Sequence, residues 1–317
     1  MPLKISFFVG VMGPSVSILM GCYNGASFLA EQLDSIEAQT HTNWRLYVSV
    51  DGSDDGTMEI LQGYQLRWGA DRLVIRDGLH QGFCRNFLGL AVDQSIEADF
   101  YAFCDQDDVW LREKLSIAVS YLKLQYPKLP QVYCSRTQYV SRNLKPLGMS
   151  TAFPYPRTFR NALVQSIAGG NTMVFNHEAK KLLNAAGLVD VPSHDWWLYI
   201  LVEAAGGMVF FDFNSYILYR QHPGALVGAN ISLLAKWRRF VMVLQGRFKE
   251  WNNKNIAALF SVKYLIEPHN LQMMTEFERL RDSHFLHRMR MISVCGLYRQ
   301  GWHGTLSLIF AALIKKI

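Results

Sequence analysis

The chain contains no Cys-x-x-Cys pair, and its five cysteines (Cys22, Cys84, Cys104, Cys134 and Cys295) are scattered and odd in number. That pattern argues against a disulfide framework and against a thiolate zinc site, and it fits a reducing cytoplasm. Long apolar runs are missing too: the stretch 306–314 falls far short of the ~20 residues a membrane-spanning helix needs. The apolar run 5–12 has no small-residue cleavage pattern, so no signal peptide is expected. Neither Gly-x-Gly-x-x-Gly nor a P-loop signature occurs, which weakens dinucleotide-oxidoreductase and P-loop readings. Internal repeats and low-complexity linkers are absent as well. What remains is 317 residues, half of them hydrophobic and 13% aromatic, enough to bury a substantial core and too apolar for a disordered chain.

Charge is unevenly spread. Residues 231–317 carry 14 Lys/Arg against five Asp/Glu, whereas 1–230 carry 18 against 21. A slightly acidic body followed by a basic, aromatic region points to a negatively charged surface as partner. We therefore divide the chain into a body, 1–230, and a basic amphipathic helical region, 231–317.

Within the body, apolar runs alternate with helical patterns. Strands are expected at 16–20, 46–50, 73–75 and 100–104, with helices at 26–38, from about 54 to 66, at 83–92 and at 113–124. Ser53 or Asp54 is placed to cap the second of these helices. After Pro130 the pattern is mixed, with strands at 131–135, 172–175, 208–211 and 216–219 and a helix at 195–205. Continuous rather than alternating apolar strands indicate a mostly parallel α/β sheet covered on both faces. Ligands bind such sheets beyond the carboxyl ends of the strands, so the clusters at 21–25, 51–56 and 105–108 should share one crevice.

The cluster at 105–108, Asp-Gln-Asp-Asp, is the most informative. Three carboxylates this close repel one another unless a cation neutralises them. Hard carboxylate oxygens suit Mg²⁺ or Mn²⁺, whose remaining positions commonly go to phosphate oxygens. The site reads as a place where a metal meets a diphosphate. Calcium-loop readings fail at both acidic clusters: Gln62 stands where the twelfth-position Glu belongs after Asp51, and Trp110 and Ser116 stand where Gly and Glu belong after Asp105. Asp51, at a strand tip, is placed to accept hydrogen bonds from a base or ribose, and Asp54, Asp55 and Asp108 to start helices. Asp195 opens the segment Asp195-Trp196-Trp197, and as an isolated feature reads first as a helix cap. His222 follows a strand that ends in Arg220, a residue suited to hold a phosphate.

Five motifs in order, Val16-Ser17-Ile18-Leu19-Met20 with Tyr23-Asn24-Gly25, Asp51-Gly52-Ser53 with Asp55-Gly56-Thr57, Asp105-Gln106-Asp107-Asp108 with Trp110, His194-Asp195-Trp196-Trp197, and Tyr219-Arg220-Gln221-His222, resemble the family 2 glycosyltransferases of the GT-A fold. The resemblance spans about 14–230 and is nearest to a bacterial rhamnosyltransferase-like branch acting in surface polysaccharide synthesis. It implies a Rossmann-like sheet with helices on both faces, a nucleotide-sugar donor (dTDP-L-rhamnose), a saccharide acceptor, inversion at the anomeric carbon, and Mg²⁺ or Mn²⁺. It implies that Tyr23, Asn24, Asp51, Asp105, Gln106 and Arg220 meet the nucleotide sugar, that Asp107 and His222 hold the metal, and that Asp195 is the base. The chain departs from the branch after His222, where Pro223-Gly224-Ala225-Leu226 replaces a stretch richer in Asn.

A sugar nucleotidyltransferase shares the topology but needs a basic, Gly-rich triphosphate loop, and 21–25 contain no Lys or Arg. A non-catalytic carbohydrate- or lipid-binding scaffold would have no need of mutually repelling carboxylates. Basic and aromatic residues interleave in Lys236-Trp237-Arg238-Arg239-Phe240, as in helices that lie on anionic lipid. With a lipid-linked acceptor, this implies a cytoplasmic enzyme peripheral to the inner face of the plasma membrane. No nucleic-acid module accompanies the charge, so nucleic acid is not expected as a partner.

Overall fold

Apolar residues on consecutive strand positions must be covered from both sides, and that requirement organises the architecture. The computed structural model describes residues 13–222 and 245–317. The apolar run 5–12, the segment 223–226 and the cluster 236–240 therefore lie outside the described residues. Strands β1 (Val16–Cys22), β2 (Trp44–Val50), β3 (Leu73–Asp77) and β4 (Phe100–Cys104) pair in parallel in the order β3-β2-β1-β4. Ile18, Met20, Leu46, Val48, Ala102 and Cys104 face one core, which α1 (Leu29–Glu37), α2 (Thr57–Trp68) and α4 (Lys114–Leu124) complete. Leu19, Tyr47, Tyr101 and Phe103 face the other, with α3 (Phe83–Ala91), α6 (His177–Ala186) and α7 (His194–Ala204). The expected strands and helices of this half are all present; β1, β2 and β3 run two residues longer than expected and β4 has the expected bounds.

Beyond β4 the sheet turns mixed. β8 (Val174–Asn176) lies antiparallel between β4 and β6 (Gln131–Val140), and β9 (Met208–Arg220) runs parallel to β6. The two-residue β5 (Val109–Trp110) pairs with β9, and β7 (Pro146–Met149) with β6. The separate strands expected at 208–211 and 216–219 are one strand. Its polar middle is a bulge: Asn214 donates from its backbone and side-chain nitrogens to Asp212 Oδ1, and the β6–β9 register shifts there. Short α5 (Phe159–Ala162) and α6, the latter capped by the Asn176 side chain on the Ala179 N–H, were not expected.

Among the described residues four α-helices follow: α8 (Arg247–Ser261), α9 (Pro268–Arg281), α10 (Phe285–Val294) and α11 (Trp302–Leu313). Their inward residues Phe248, Ile256, Leu259, Met274, Phe277, Leu308 and Ala312 join the same core as α7. Asn270 Nδ2 donates to the Glu203 and Ala204 carbonyls, closing the end of α7. Among the described residues no helix is long and apolar enough to cross a membrane.

Candidate active site

The turns after β1, β2 and β4 are tied to one another before any ligand is considered. Asn24 adopts a left-handed conformation (φ 48°), and its Oδ1 accepts the Asp54 N–H while its own N–H donates to Ser53 Oγ. Gln106 reads the Tyr23 backbone both ways, accepting its N–H at 2.9 Å and donating to its carbonyl at 2.8 Å. Gly25 permits this approach, because a Cβ there would stand 2.4 Å from Gln106 Oε1. Asn24 and Gln106, expected to meet the nucleotide sugar, thus spend these groups on shaping the loop that carries Tyr23. The Tyr23 side chain itself is 61% exposed. Asp51 accepts N–H groups from His80 and Gly82, which clamps the β3–α3 loop to the tip of β2. Of the residues expected to start α2, which begins after Gly56, Asp55 does so, its side chain taking the Thr57 N–H; Ser53 and Asp54 do not.

The acidic cluster divides by partner. Asp107 Oδ2 meets His222 Nε2 at 2.8 Å, and both side chains are largely buried. No described donor reaches the Asp105 carboxyl, which burial, with Asp107 and Asp195 adding their charge, pushes up to about 8. Asp108 is fully buried; Asn171 Nδ2 donates to it at 2.6 Å and the Arg220 N–H at 3.3 Å. It does not start a helix as expected, because β5 follows directly and α4 begins only at Lys114. Burial and the Asp105 and Asp107 charges hold its carboxyl well above the usual carboxylate range.

Arg220 is the main correction. Instead of standing open to a phosphate it is 1% exposed, and it donates to the carbonyls of Asp107 and Arg142 and to Glu31. A planar guanidinium can bind several acceptors at once, and here it ties the Asp107 backbone to α1 and to the β6–β7 turn. Behind the cluster, buried Lys114 lies 3.7 Å over the Trp110 ring. Desolvation lowers it to about 8 against the opposing pull of Cys104, Asp108 and Asp105.

Asp195 enters from the first turn of α7. Its Oδ1 accepts from Ser193 Oγ at 2.5 Å and from the Trp196 N–H at 2.6 Å, while Oδ2 takes only the Gly170 N–H at 3.1 Å. The N-cap is Ser193, so Asp195 is not the cap. Trp196 and Trp197 are both buried, and Trp196 Nε1 donates to the Ala162 carbonyl; both serve helix packing. Preceding Asp195, His194 stacks on Phe87 at 4.1 Å and lies edge-on to Phe103, and burial lowers it to about 4. A Cβ on Gly170 would meet its Nε2 at 2.3 Å, so only glycine lets the turn Gly170–Thr172 sit against it. That turn connects the two halves of the site, one residue bonding Asp195 and the next bonding Asp108. Sequence reading missed Gly170, Asn171, Ser193 and Glu31; the Gly169-Gly170-Asn171 run was the available cue for a tight turn.

Asp107 and His222 fit a small divalent cation. Two adjacent octahedral ligands at ~2.1 Å from the ion stand about 3 Å apart, close to the separation this pair already has. Among the described residues no third His, Cys, Asp or Glu completes a protein-only cluster, so other positions would fall to ligand oxygens and water.

The family profile for glycosyl transferase family 2 matches residues 17–177. The chain is 28% identical over 255 residues to the dTDP-rhamnosyl transferase RfbG of Shigella flexneri, covering 76% of this chain and 83% of that one. It is 26% identical over 172 residues to the putative teichuronic acid biosynthesis glycosyltransferase TuaG of Bacillus subtilis, covering 52% and 63% respectively. In fold it is similar to S. aureus TarS 1-349 in complex with UDP-GlcNAc (TM-score 0.55, 14% identity, 95% of this chain and 90% of that one). A second similar fold is the mannosyltransferase PcManGT of Pyrobaculum calidifontis with GDP-Man and Mn²⁺ (TM-score 0.51, 15% identity, 96% and 87%). With its GT-A fold and its rhamnosyltransferase-like relative, the chain belongs to glycosyl transferase family 2 and is a glycosyltransferase that uses a nucleotide-sugar donor.

Proposed function

We propose that this enzyme moves L-rhamnose from dTDP-L-rhamnose to a hydroxyl of a lipid-linked saccharide, with inversion, in bacterial surface polysaccharide synthesis. The observation that carries the mechanism is that the Asp105 carboxyl feels the charges of both Asp107 and Asp195, which puts the Asp107–His222 pair and Asp195 Oδ2 around one acidic cluster. The rhamnosyl donor is supported by the similarity to RfbG over most of both chains.

Asp195 is the general base. Ser193 and Trp196 saturate Oδ1 and fix the carboxylate plane, which leaves Oδ2 with lone-pair capacity for the acceptor hydroxyl. As the hydroxyl oxygen attacks C1, its proton passes to Oδ2 and the C1–diphosphate bond breaks on the opposite face. Asp107 and His222 would hold Mg²⁺ or Mn²⁺. That cation, when bound, supplies Lewis-acid charge for the departing diphosphate. Exposed Tyr23 and the tip of Asp51 flank the nucleotide. Arg220 keeps the Asp107 backbone in place from behind.

The basic region 231–317 is proposed to hold the enzyme against the cytoplasmic face of the plasma membrane, where a lipid-linked acceptor resides; its excess of Lys/Arg supports this. The test is a panel of nucleotide sugars assayed for hydrolysis and thermal stabilisation with and without Mn²⁺. We expect metal-dependent turnover of dTDP-L-rhamnose. Turnover of another donor alone would overturn the rhamnosyl assignment.

A further inference from the structure

Asp282 is the last acidic residue of the chain. The stretch 283–317 contains five Lys/Arg and no Asp or Glu. Arg288, which is buried, donates to the Ala312 and Leu313 carbonyls, so the start of α10 meets the end of α11 and the two helices lie antiparallel. Leu308, Ala311 and Ala312 turn inward to the shared core. The opposite face of α11 carries Trp302, Leu306 and Leu313, which are 63%, 52% and 39% exposed and spaced for one side of a helix. On α10, Leu286 and Val294 are 77% and 50% exposed, with exposed Arg290 midway between them. Within α11 there is no charged residue, and Lys315 and Lys316 follow its end. Neither of these lysines nor Arg290 forms an ion pair with a described residue.

We propose that this outer face of α10 and α11 is the membrane contact, and that it lies in the headgroup plane of an anionic bilayer. The proposal deepens the membrane association stated above and rests on it. An apolar row edged by unpaired cations is the composition of an interfacial helix. Twelve residues of α11 reach about 18 Å, too short to span a bilayer but suited to lying along its surface. A second copy of the chain fits less well: a two-fold contact would bring Arg290, Lys315 and Lys316 of both copies together with no acid in 283–317 to neutralise them. Anionic lipid supplies the missing charge.

The experiment is flotation of the full chain with phosphatidylcholine vesicles, with and without phosphatidylglycerol, for the wild type, the double variant Trp302→Glu/Leu306→Glu, and Lys315→Glu/Lys316→Glu. Thermal melting and donor hydrolysis of each variant establish that the exposed substitutions leave the fold and the crevice intact. We expect the wild type to float with the anionic vesicles, the apolar-face variant to bind at least about tenfold more weakly, and the lysine variant to lose its preference for phosphatidylglycerol. Undiminished flotation of the Trp302/Leu306 variant would overturn this face while leaving membrane association by another segment intact. Absence of wild-type flotation would overturn both. A concentration-dependent dimer abolished by the same variant, with flotation unchanged, would assign the face to a second copy.

Discussion

At the strand tips, Asp105, Asp107, Asp108 and Asp195 crowd together, and most of their oxygens already meet a protein donor or His222. On the outer face of α10 and α11, Arg290, Lys315 and Lys316 have no acidic residue anywhere in the surrounding stretch. The first region answers its own charge by burial, hydrogen bonds and the nearby Lys114, and leaves three openings: the Asp105 carboxyl, the Asp107–His222 pair and Asp195 Oδ2. The second leaves Arg290, Lys315 and Lys316 without an ion pair among the described residues, although the Asp282 carboxyl lies close enough to feel Lys315. A small cation and a hydroxyl fit the former; an extended anionic surface fits the latter.

This contrast can be broken most sharply at the base. Asp195→Asn keeps one acceptor oxygen for the Ser193 and Trp196 donors but puts an NH2, which takes no proton, in the place of Oδ2, and transfer should fall about 10²–10⁴-fold while donor binding persists. Initial rates against donor affinity separate the two. At the proposed metal pair, His222→Ala should weaken Mn²⁺ binding by about one to two orders of magnitude and leave the fold's melting temperature close to wild type, since His222 lies past the end of β9 rather than in the core. Calorimetric Mn²⁺ titration measures the first effect.

Asn171→Ala sharpens the comparison from the structural side. It strips the buried Asp108 carboxyl of its shortest hydrogen bond and should cost about 1–3 kcal/mol of stability in denaturant melts. Because the same turn supports Asp195 through Gly170, kcat should fall further than KM rises, a split that simple destabilisation would not produce. The smallest effect concerns Glu203, on the same helix as Asp195, whose carboxyl burial pushes up to about 8. Its folded value lies above the unfolded one of ~4.3, so its contribution is fully present below that value and is lost as pH rises toward about 8. Glu203→Gln should therefore show a shallower decline in Tm between about pH 5 and 8 than the wild type.

How much of this was legible beforehand follows from the range of the interactions. The parallel half of the sheet was readable because each strand there is a local apolar run, and the tips of such runs locate Tyr23, Asp51 and Asp105 without further information. Arg220 and Asp108 were misread for the opposite reason. Their partners, Glu31, Asp107, Arg142 and Asn171, arrive from four separate stretches, and residue type does not reveal whether an Arg at a strand end faces substrate or protein. The bulge in β9 hid a continuous strand because Asp212 and Asn214 satisfy each other locally and break the apolar pattern. In Arg288-Met289-Arg290 the sequence shows two cations of one kind; the fold buries the first on the α11 terminus and exposes the second.

The most direct test is calorimetric binding of dTDP-L-rhamnose to the wild type and to Asp107→Ala, each with and without Mn²⁺. The account predicts that Mn²⁺ strengthens donor binding to the wild type and has no such effect on the variant. Equal donor affinity in all four titrations would contradict a metal at the Asp107–His222 pair that assists donor binding.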